Sequence, residues 1–309
     1  MSAATPAPAD PAWLSVGEKG SVLAIRLVVW LATLAGRPPA RWLMKGAALW
    51  YTLLHPGVRR ASRDLGERLT GQRRSLRDIY RHVLCFAEAA LDRMWLIQGR
   101  GDLFELTRDG HDHLERLHQA GSGAILISAH LGSTAAMSLG GHDERLQIRV
   151  VGYFKNARMI NAALHRLNPR AAAQVVHIDP GNPATVLDLK ARVERGELLA
   201  IAADRVGLND RTVTVDFLGK PAAFPAGPFL LAAMLQCPVY FVCGLYRSPN
   251  CYALYCEPFA ERVVLPRKVR DAALHEVVTA YAARIEHFVR LAPDNWFNFF
   301  DFWAGPART

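Results

Sequence analysis

The fold of this chain is decided by the stretch Ala124-Ile-Leu-Ile-Ser-Ala-His-Leu-Gly-Ser-Thr134. A continuous apolar run of strand length ends there at a histidine, a glycine and two hydroxyl residues. Such a run is typical of a fully buried parallel strand, and Ser133 or Thr134 can cap a helix that follows it. The pattern predicts a strand over residues 124–129, with His130 between the strand end and a helix N-terminus.

Strands and helices alternate along the chain after Leu106. Further strands are predicted at residues 148–153, 175–178, 198–203, 212–217, 239–245 and 252–258. Helices are predicted at residues 111–119, 159–167, 184–195, 227–235 and 271–291. Strands that alternate with helices build a largely parallel sheet. We therefore expect an α/β fold over residues 106–309, in which a mostly parallel central sheet is flanked by helices in a single integrated domain.

The first hundred residues are mainly helical in pattern. Residues 1–20 are rich in Ala and Pro, lack the pattern of a secretory signal and are predicted to be disordered. Residues 21–105 are predicted to form a helical extension that associates with membranes, with helices at residues 22–35, 41–54, 56–69 and 76–98. The first helix would span roughly 21 Å, short of the ~30 Å hydrocarbon core. We expect it to lie in the membrane interface or to be buried in the protein.

Positive charge is concentrated at the N-terminal end. The 309 residues carry a net charge of +9, and residues 1–74 hold eleven Lys or Arg but only four Asp or Glu. This asymmetry indicates an anionic partner. The apolar segments between the basic residues, with Trp42, Trp50 and Tyr51, favour an anionic membrane surface over nucleic acid. The alternative is a helical pair packed on the protein's own core.

The cysteines argue against a zinc site or a disulfide framework. There are five of them, an odd number, and no C-x-x-C pair occurs. Reduced thiols in a cytoplasmic compartment fit this usage best.

His130 is the first candidate for chemistry, because a histidine beside a helix start is a usable general base. Its usual partner is a carboxylate, which fixes the tautomer of the imidazole. About one helical turn further on, where we expect that acid, the chain has Ala135. The local sequence therefore holds half of a catalytic pair. The alternative is a histidine satisfied by a backbone carbonyl in a strand-to-helix turn.

Asp204 and Arg205 directly follow the predicted strand at residues 198–203, and α/β folds bind ligands at such strand ends. An arginine can bind a phosphate or a carboxylate through two hydrogen bonds. An Asp–Arg pair that only closes a loop fits the spacing equally well.

Two segments further along the chain are candidate binding regions. Over residues 215–228 we predict a strand, a glycine turn, a Pro/Gly-rich bend and a helix that begins at Pro228. The N–H groups of this helix start could cradle a phosphate or an oxyanion, and an ordinary connection is the alternative. The segment Trp296-Phe-Asn-Phe-Phe-Asp-Phe-Trp303 has six aromatic residues in eight. We interpret it as a plug of the core, with the lining of an acyl-chain tunnel as the alternative.

Five motifs in this order resemble the lysophospholipid acyltransferase superfamily, and within it the bacterial branch that contains the late acyltransferases of lipid A synthesis. The resemblance runs from about Trp13 to Trp303. One such motif would be weak, whereas five in register are specific. The motifs are Gly123-Ala-Ile-Leu-Ile-Ser-Ala-His-Leu-Gly132, Gly196-Glu-Leu-Leu-Ala-Ile-Ala-Ala-Asp-Arg205, Val215-Asp-Phe-Leu-Gly-Lys-Pro221, Phe224-Pro-Ala-Gly-Pro-Phe229 and the aromatic segment.

The resemblance implies transfer of a fatty acyl group from a thioester of acyl carrier protein or coenzyme A to a hydroxyl or amine of a membrane lipid or lipid-like acceptor. It implies a peripheral location on the cytoplasmic face of the bacterial inner membrane, and no metal or bound cofactor; no nucleic-acid partner is expected either, because no nucleic-acid-binding motif occurs in the sequence. His130 would deprotonate the acceptor. Arg205, or main-chain N–H groups near Gly132 or Gly227, would hold the developing oxyanion or an acceptor phosphate. The residues it assigns to substrate binding are Gly132, Ser133, Asp204, Phe217, Gly219, Phe224 and Gly227.

The chain departs from the family signature, a histidine followed after four residues by Asp or Glu, because Ala135 stands at the position of the acid. Either the protein works without that acid, or it is an inactive lipid- or carrier-binding relative, or the acid has been replaced to trap a substrate. The otherwise complete framework favours the last. Asp204 or Asp301 could substitute only if folding brings its carboxylate within roughly 2.6–3.2 Å of the imidazole. A serine hydrolase is not indicated, since no G-x-S-x-G elbow occurs.

Overall fold

The computed structural model describes residues 22–143, 146–152, 175–177, 182–207 and 211–304. The described chain begins with α1 (Val22–Ala35), α2 (Arg37–Leu54), α3 (Pro56–Thr70) and α4 (Leu76–Ile97), which confirm the predicted helical region. None of the described helices is both long and apolar enough to span a membrane. The disorder predicted for residues 1–20 and the helix predicted at residues 159–167 lie outside the described residues.

The alternation of strands and helices predicted for the rest of the chain is confirmed. The strands are β1 (Glu105–Asp109), β2 (Ala124–Ser128), β3 (Ile148–Gly152), β4 (Val175–His177), β5 (Leu198–Ala202), β6 (Thr212–Phe217), β7 (Lys220–Pro225), β8 (Val239–Arg247) and β9 (Cys251–Ala260). The helices are α5 (His111–Gln119), α6 (Thr134–Asp143), α7 (Pro183–Glu194), α8 (Gly227–Leu235) and α9 (Arg270–Leu291).

One seven-stranded sheet, in the order β1-β9-β8-β2-β5-β3-β4, organises this part of the molecule. The strands β8, β2, β5, β3 and β4 run parallel, whereas β9 is antiparallel to β8 and carries β1 alongside it. All five residues of β2 are buried, as its continuous apolar run predicts for a central parallel strand. Its neighbour β5 pairs in a register that sets Ser128 opposite Ala202.

Two strands escaped prediction, each for a physical reason. β1 is an edge strand in which four of five residues are exposed, so it carries no alternating apolar signal. β7 replaces the predicted Pro/Gly-rich bend: it pairs antiparallel with β6 as a separate two-stranded sheet. Its proline at Pro221 is tolerated because a two-stranded sheet has only edge strands. The turn between them uses Leu218 and Gly219, both with positive φ, as the tight hairpin turns require.

The core is divided by the sheet. Ile125 and Ile127 of β2 face a large cluster that includes side chains of α7, α8, α9 and the C-terminal aromatic segment, whereas Ala124 and Leu126 belong to a cluster with α5. A further cluster joins α1, α2 and α4 to α6 and to the β8–β9 hairpin. The N-terminal helices therefore share a core with the α/β fold.

Two buried ion pairs tie α2 to α4. Arg37 Nε lies 2.7 Å from Asp92 Oδ1, and Arg41 Nη2 lies 2.6 Å from Glu88 Oε1. Tyrosine hydroxyls from β8 and β9 donate to both carboxylates. The pairs fix the helical region against the sheet through groups that are satisfied on several sides.

His82 of α4 is fully buried beneath the C-terminal aromatic segment. Its Nε2 lies 2.9 Å from the carbonyl oxygen of Trp296, and its Nδ1 lies 3.0 Å from Ser62 Oγ. Burial, and secondarily the charge of Arg74, lower the pKa of His82 to about 3. The imidazole is therefore neutral at neutral pH, and Nε2–H donates to the carbonyl.

Candidate active site

His130 and Asp204 meet because their strands are neighbours in register. Each follows its strand by two residues, His130 after Ser128 of β2 and Asp204 after Ala202 of β5, and these two strand ends are paired. The N–H of Ala203 extends the pairing by donating to the carbonyl of Ser128 over 2.9 Å. Nδ1 of His130 lies 2.7 Å from Asp204 Oδ1, and the His130 backbone N–H donates to Oδ2 over 3.0 Å.

The Asp204 carboxyl is fully buried and ionised. Burial works to raise its pKa. The charge of His130, the hydrogen bonds from its ring and backbone, and the charge of Arg205 act in the opposite direction and lower the pKa to about 2. An ionised carboxylate only accepts hydrogen bonds, so the proton between the two side chains belongs to Nδ1 of the imidazole. This arrangement leaves the lone pair of a neutral imidazole on Nε2.

The outer nitrogen of the same ring can be reached from solvent. The His130 side chain is 38% exposed, and no described residue forms a hydrogen bond with its Nε2. A histidine held at Nδ1 by a carboxylate, with Nε2 accessible, is the arrangement of a general base.

The turn after His130 requires a glycine, and its backbone N–H groups are already used in hydrogen bonds. Gly132 has a φ of +68°, and a Cβ there would lie 2.0 Å from the carbonyl oxygen of Gly244. Its N–H donates to Asn295 O over 2.8 Å, and the N–H of Ser133 donates to Gly244 O over 2.7 Å. These two groups, expected from the resemblance to hold an oxyanion, are therefore already bonded to carbonyls.

Ser133 has a structural task in this turn. Its hydroxyl accepts the N–H of Ala136 over 3.2 Å, which confirms the predicted cap of the following helix α6. The residue is 6% exposed.

Arg205 points into the C-terminal aromatic segment. Its Nε donates to Asn298 Oδ1 and its Nη2 to the carbonyl of Phe297, both over 2.9 Å. Asn298 in turn donates from Nδ2 to Asp204 Oδ2 over 3.1 Å. Arg205 thus reaches the His–Asp pair through another side chain. Asn298 was missed in the sequence, where its only signal is a polar residue inside an aromatic run.

The aromatic segment itself is a plug of the core, as predicted, and it also touches the site. The ring of Trp296 packs against those of Phe217 and Phe302, at centroid distances of 5.5 and 4.9 Å. Next to it, the N–H of Phe297 donates to the carbonyl of His130 over 2.9 Å.

Ala135 lies in the first turn of α6 and is 7% exposed. It belongs to the apolar cluster that also includes Trp95, Tyr252 and Phe297. The carboxylate that contacts the histidine in this structure therefore comes from the end of β5 and not from α6.

The other residues that the resemblance assigns to substrate binding lie in or beside the β6–β7 hairpin. Phe217 and Phe224 are fully buried, with ring centroids 5.6 Å apart, and pack in the core. Gly219 makes the hairpin turn, and Gly227 begins α8. None of the described hydrogen bonds or ring contacts joins these four directly to His130. The described part of the chain also holds no group of three or more His, Cys, Asp or Glu that could ligate a metal ion.

A largely parallel α/β sheet carries at its carboxyl edge a partly exposed histidine held by a buried aspartate, the arrangement that a general base needs. The chain belongs to the bacterial lipid A biosynthesis acyltransferase family, whose model matches residues 90–304, more than two thirds of its length. The resemblance drawn from the five motifs is thereby confirmed. The match includes His130, Asp204 and Asn298. A search of curated proteins returns no match.

Proposed function

We propose that this protein transfers a fatty acyl group from a thioester of acyl carrier protein or coenzyme A to a hydroxyl or amine of a lipid acceptor, with His130 as general base. Membership of the family supports acyl transfer to a lipid acceptor. The observation that carries the proposal is the 2.7 Å contact between His130 Nδ1 and the buried Asp204 carboxylate, with Nε2 accessible.

The reaction needs one proton to move twice. The acceptor hydroxyl or amine gives its proton to His130 Nε2 as its oxygen or nitrogen attacks the thioester carbonyl carbon. The tetrahedral intermediate then collapses, the carbon–sulfur bond breaks, and Nε2 returns the proton to the leaving sulfur. Asp204 stays ionised throughout and stabilises the transient imidazolium. A positioned base of this kind contributes ~10²–10⁴-fold in rate.

In this proposal Asp204 takes the role that the family signature gives to an acid at position 135. The Nδ1–Oδ1 distance of 2.7 Å lies within the roughly 2.6–3.2 Å that such a partner needs. The protein then works with Ala135 in place. The alternative, an inactive lipid- or carrier-binding relative, is favoured only by the missing signature acid and predicts no transfer at all.

Single-turnover transfer from radiolabelled acyl carrier protein and coenzyme A thioesters to a bacterial lipid extract tests the proposal. We expect transfer by the unchanged protein, and a loss of roughly 10²–10⁴-fold in His130→Ala and Asp204→Asn. The exposed His275 and Asp301 provide matched controls, and His275→Ala and Asp301→Asn should retain the full rate. No transfer by the unchanged protein favours the binding alternative, and substantial turnover by His130→Ala contradicts its role as base.

We also propose that α1 and α2 hold the protein peripherally on the anionic cytoplasmic face of the inner membrane. Large apolar side chains of these helices are exposed to solvent. Among them is Trp42, which is 71% exposed and has Lys45 Nζ 4.0 Å from the centroid of its ring. This membrane-facing surface is composed of Trp30, Leu34, Trp42, Leu49, Trp50, Leu53 and Leu54. Apolar side chains beside basic ones suit an anionic lipid interface.

The position of α2 relative to the sheet supports this location. Arg41 of α2 donates to Ser248 Oγ, in the turn that follows β8. Because β8 runs parallel to β2, this turn and His130 lie at the same edge of the sheet. A lipid acceptor held at the membrane-facing surface would thus approach the edge that carries the histidine.

Vesicle flotation tests the location. We expect the protein to float with vesicles that contain phosphatidylglycerol and to float less as salt screens the attraction, ~1 kcal/mol per basic residue near the surface. Trp42→Ser with Trp50→Ser should weaken flotation. Leu187→Ser, at an equally exposed apolar position on α7, should not. Equal flotation by all three proteins would contradict the assigned surface.

A further inference from the structure

Among the described side-chain hydrogen bonds, the one that joins the aromatic segment directly to the His–Asp pair comes from Asn298. It is 3% exposed. Its Oδ1 accepts from Arg205 Nε over 2.9 Å, and its Nδ2 donates to Asp204 Oδ2 over 3.1 Å. An arginine only donates, so the amide atom that faces it must be the oxygen, and the donor group is thereby turned toward the carboxylate. The orientation of the amide is therefore fixed by chemistry.

These contacts are part of a closed ring of hydrogen bonds. From His130 the ring runs through Asp204 and Asn298 to Arg205, which donates to the carbonyl of Phe297 over 2.9 Å. The N–H of Phe297 returns to the carbonyl of His130 over 2.9 Å. Residues from three distant parts of the sequence are thus joined, and the polar side chains of the ring cannot rotate without breaking a hydrogen bond to a charged or buried group.

We propose that Asn298, held by Arg205, is a positioning residue for His130 that acts through Asp204. It supplies a side-chain donor to Oδ2, opposes rotation of the carboxylate, and helps keep the buried Asp204 ionised, since hydrogen bonds to the charged form stabilise it. Arg205 fixes the amide and adds a positive charge beside the acid. This deepens the proposed function and rests on it: a base whose partner carboxylate is loose or protonated loses its tautomer and orientation.

The test separates positioning from a purely structural role with a spectroscopic signal. In protein labelled with ¹⁵N-histidine, the Nδ1 proton of His130 should give a strongly downfield ¹H resonance, which Asp204→Asn removes. Asn298→Leu keeps the volume but removes the donor, so we expect this resonance to shift or broaden. Arg205→Lys keeps the charge but loses the planar guanidinium with its two donors. It should shift the resonance in the same direction, while circular dichroism shows that the protein remains folded.

Kinetics provide the second measurement. Loss of one hydrogen bond to a charged group predicts a fall in kcat of about tenfold to a hundredfold for Asn298→Leu, with KM for the acyl donor little changed. The acid limb of the pH–rate profile should move to higher pH, because a carboxylate that has lost a donor is more basic and holds the proton of the His–Asp pair more tightly. An unmoved resonance and an unmoved profile would overturn the positioning role, even if kcat fell. If Asn298→Leu fails to fold, Arg205→Lys decides by the same two measurements.

The two proposals can fail separately. Resonances that respond as expected in a protein that transfers no acyl group would end the proposed function and leave the positioning of His130 intact. Normal acyl transfer by the unchanged protein, with a resonance that neither variant shifts, would end the positioning role of Asn298 and leave the proposed function intact.

Discussion

Ala135 stands where the family signature has an acid, and its surroundings decide what a carboxylate would do there. The residue is 7% exposed within an apolar cluster, while His130 already has Asp204 as a partner. We expect Ala135→Glu to leave the single-turnover rate unimproved and to lower the free energy of unfolding by about 3–5 kcal/mol, the effect of an unpaired buried charge. Ala135→Met is the control, since it adds volume without charge. A rate increase of tenfold or more in Ala135→Glu would instead make residue 135 the natural partner of His130.

At this residue scale the sequence predicts the members of the site better than their pairing. His130 and Asp204 each stand out at the end of an apolar run. They are 74 positions apart, however, and meet only because β5 lies beside β2 although β3 and β4 come between them in the chain. Periodicity does not encode that strand order. Asn298 is harder still to predict, because its role depends on where the aromatic segment crosses the sheet edge.

Among the elements, the contact between α2 and α4 has the most clearly testable energetics. Asp92 is fully buried and accepts from Arg37, itself 11% exposed. Asp92→Ala leaves the guanidinium without its partner, so we expect a loss of about 3–5 kcal/mol in the free energy of unfolding. The exposed pair of Arg100 and Asp102 offers the control, and Asp102→Ala should leave the free energy of unfolding almost unchanged. Urea denaturation measures both.

The double variant Arg37→Met with Asp92→Leu refines this expectation. Apolar residues of similar size can replace a buried pair at little cost, so the double variant should be more stable than Asp92→Ala alone. Equal losses for Asp92→Ala and Asp102→Ala would mean that the buried pair contributes no more than a surface pair.

Element prediction succeeded where one physical signal dominates. The helical pattern of the N-terminal region and the continuous apolar run of β2 are both confirmed by the structure. The sequence pattern did not predict β1, because an exposed edge strand has few apolar residues. It did not predict β7 either, because the two prolines of that strand are typical of a bend. The hairpin forms because Leu218 and Gly219 adopt the turn that brings β7 back onto β6.

For the molecule as a whole, His82 links stability to pH. Its pKa falls from 6.5 to about 3 on folding, so between these values the unfolded chain binds the additional proton. The contribution of His82 to the free energy of unfolding is therefore fully present above pH 6.5. It decreases by about 1.4 kcal/mol per pH unit as the pH falls toward 3. His82→Gln should reduce that slope, because a carboxamide does not titrate.

Urea denaturation at a series of pH values measures this slope. The exposed His287 serves as the control, and His287→Gln should follow the unchanged protein. Identical slopes for His82→Gln and His287→Gln would contradict the assignment to His82.

The adjacency of β2 and β5 bears on how a lineage of such proteins can change. The family signature places the acid on the helix after β2, whereas in this chain the carboxylate beside the histidine comes from the loop after β5. If Asp204 serves His130 as proposed, a mutation that removes the first acid leaves an active protein as long as the second acid remains in register. A scan that demands an acid five residues after the histidine would discard such a descendant. A scan that asks which side chain stands opposite the histidine, at the end of the neighbouring parallel strand, would keep it.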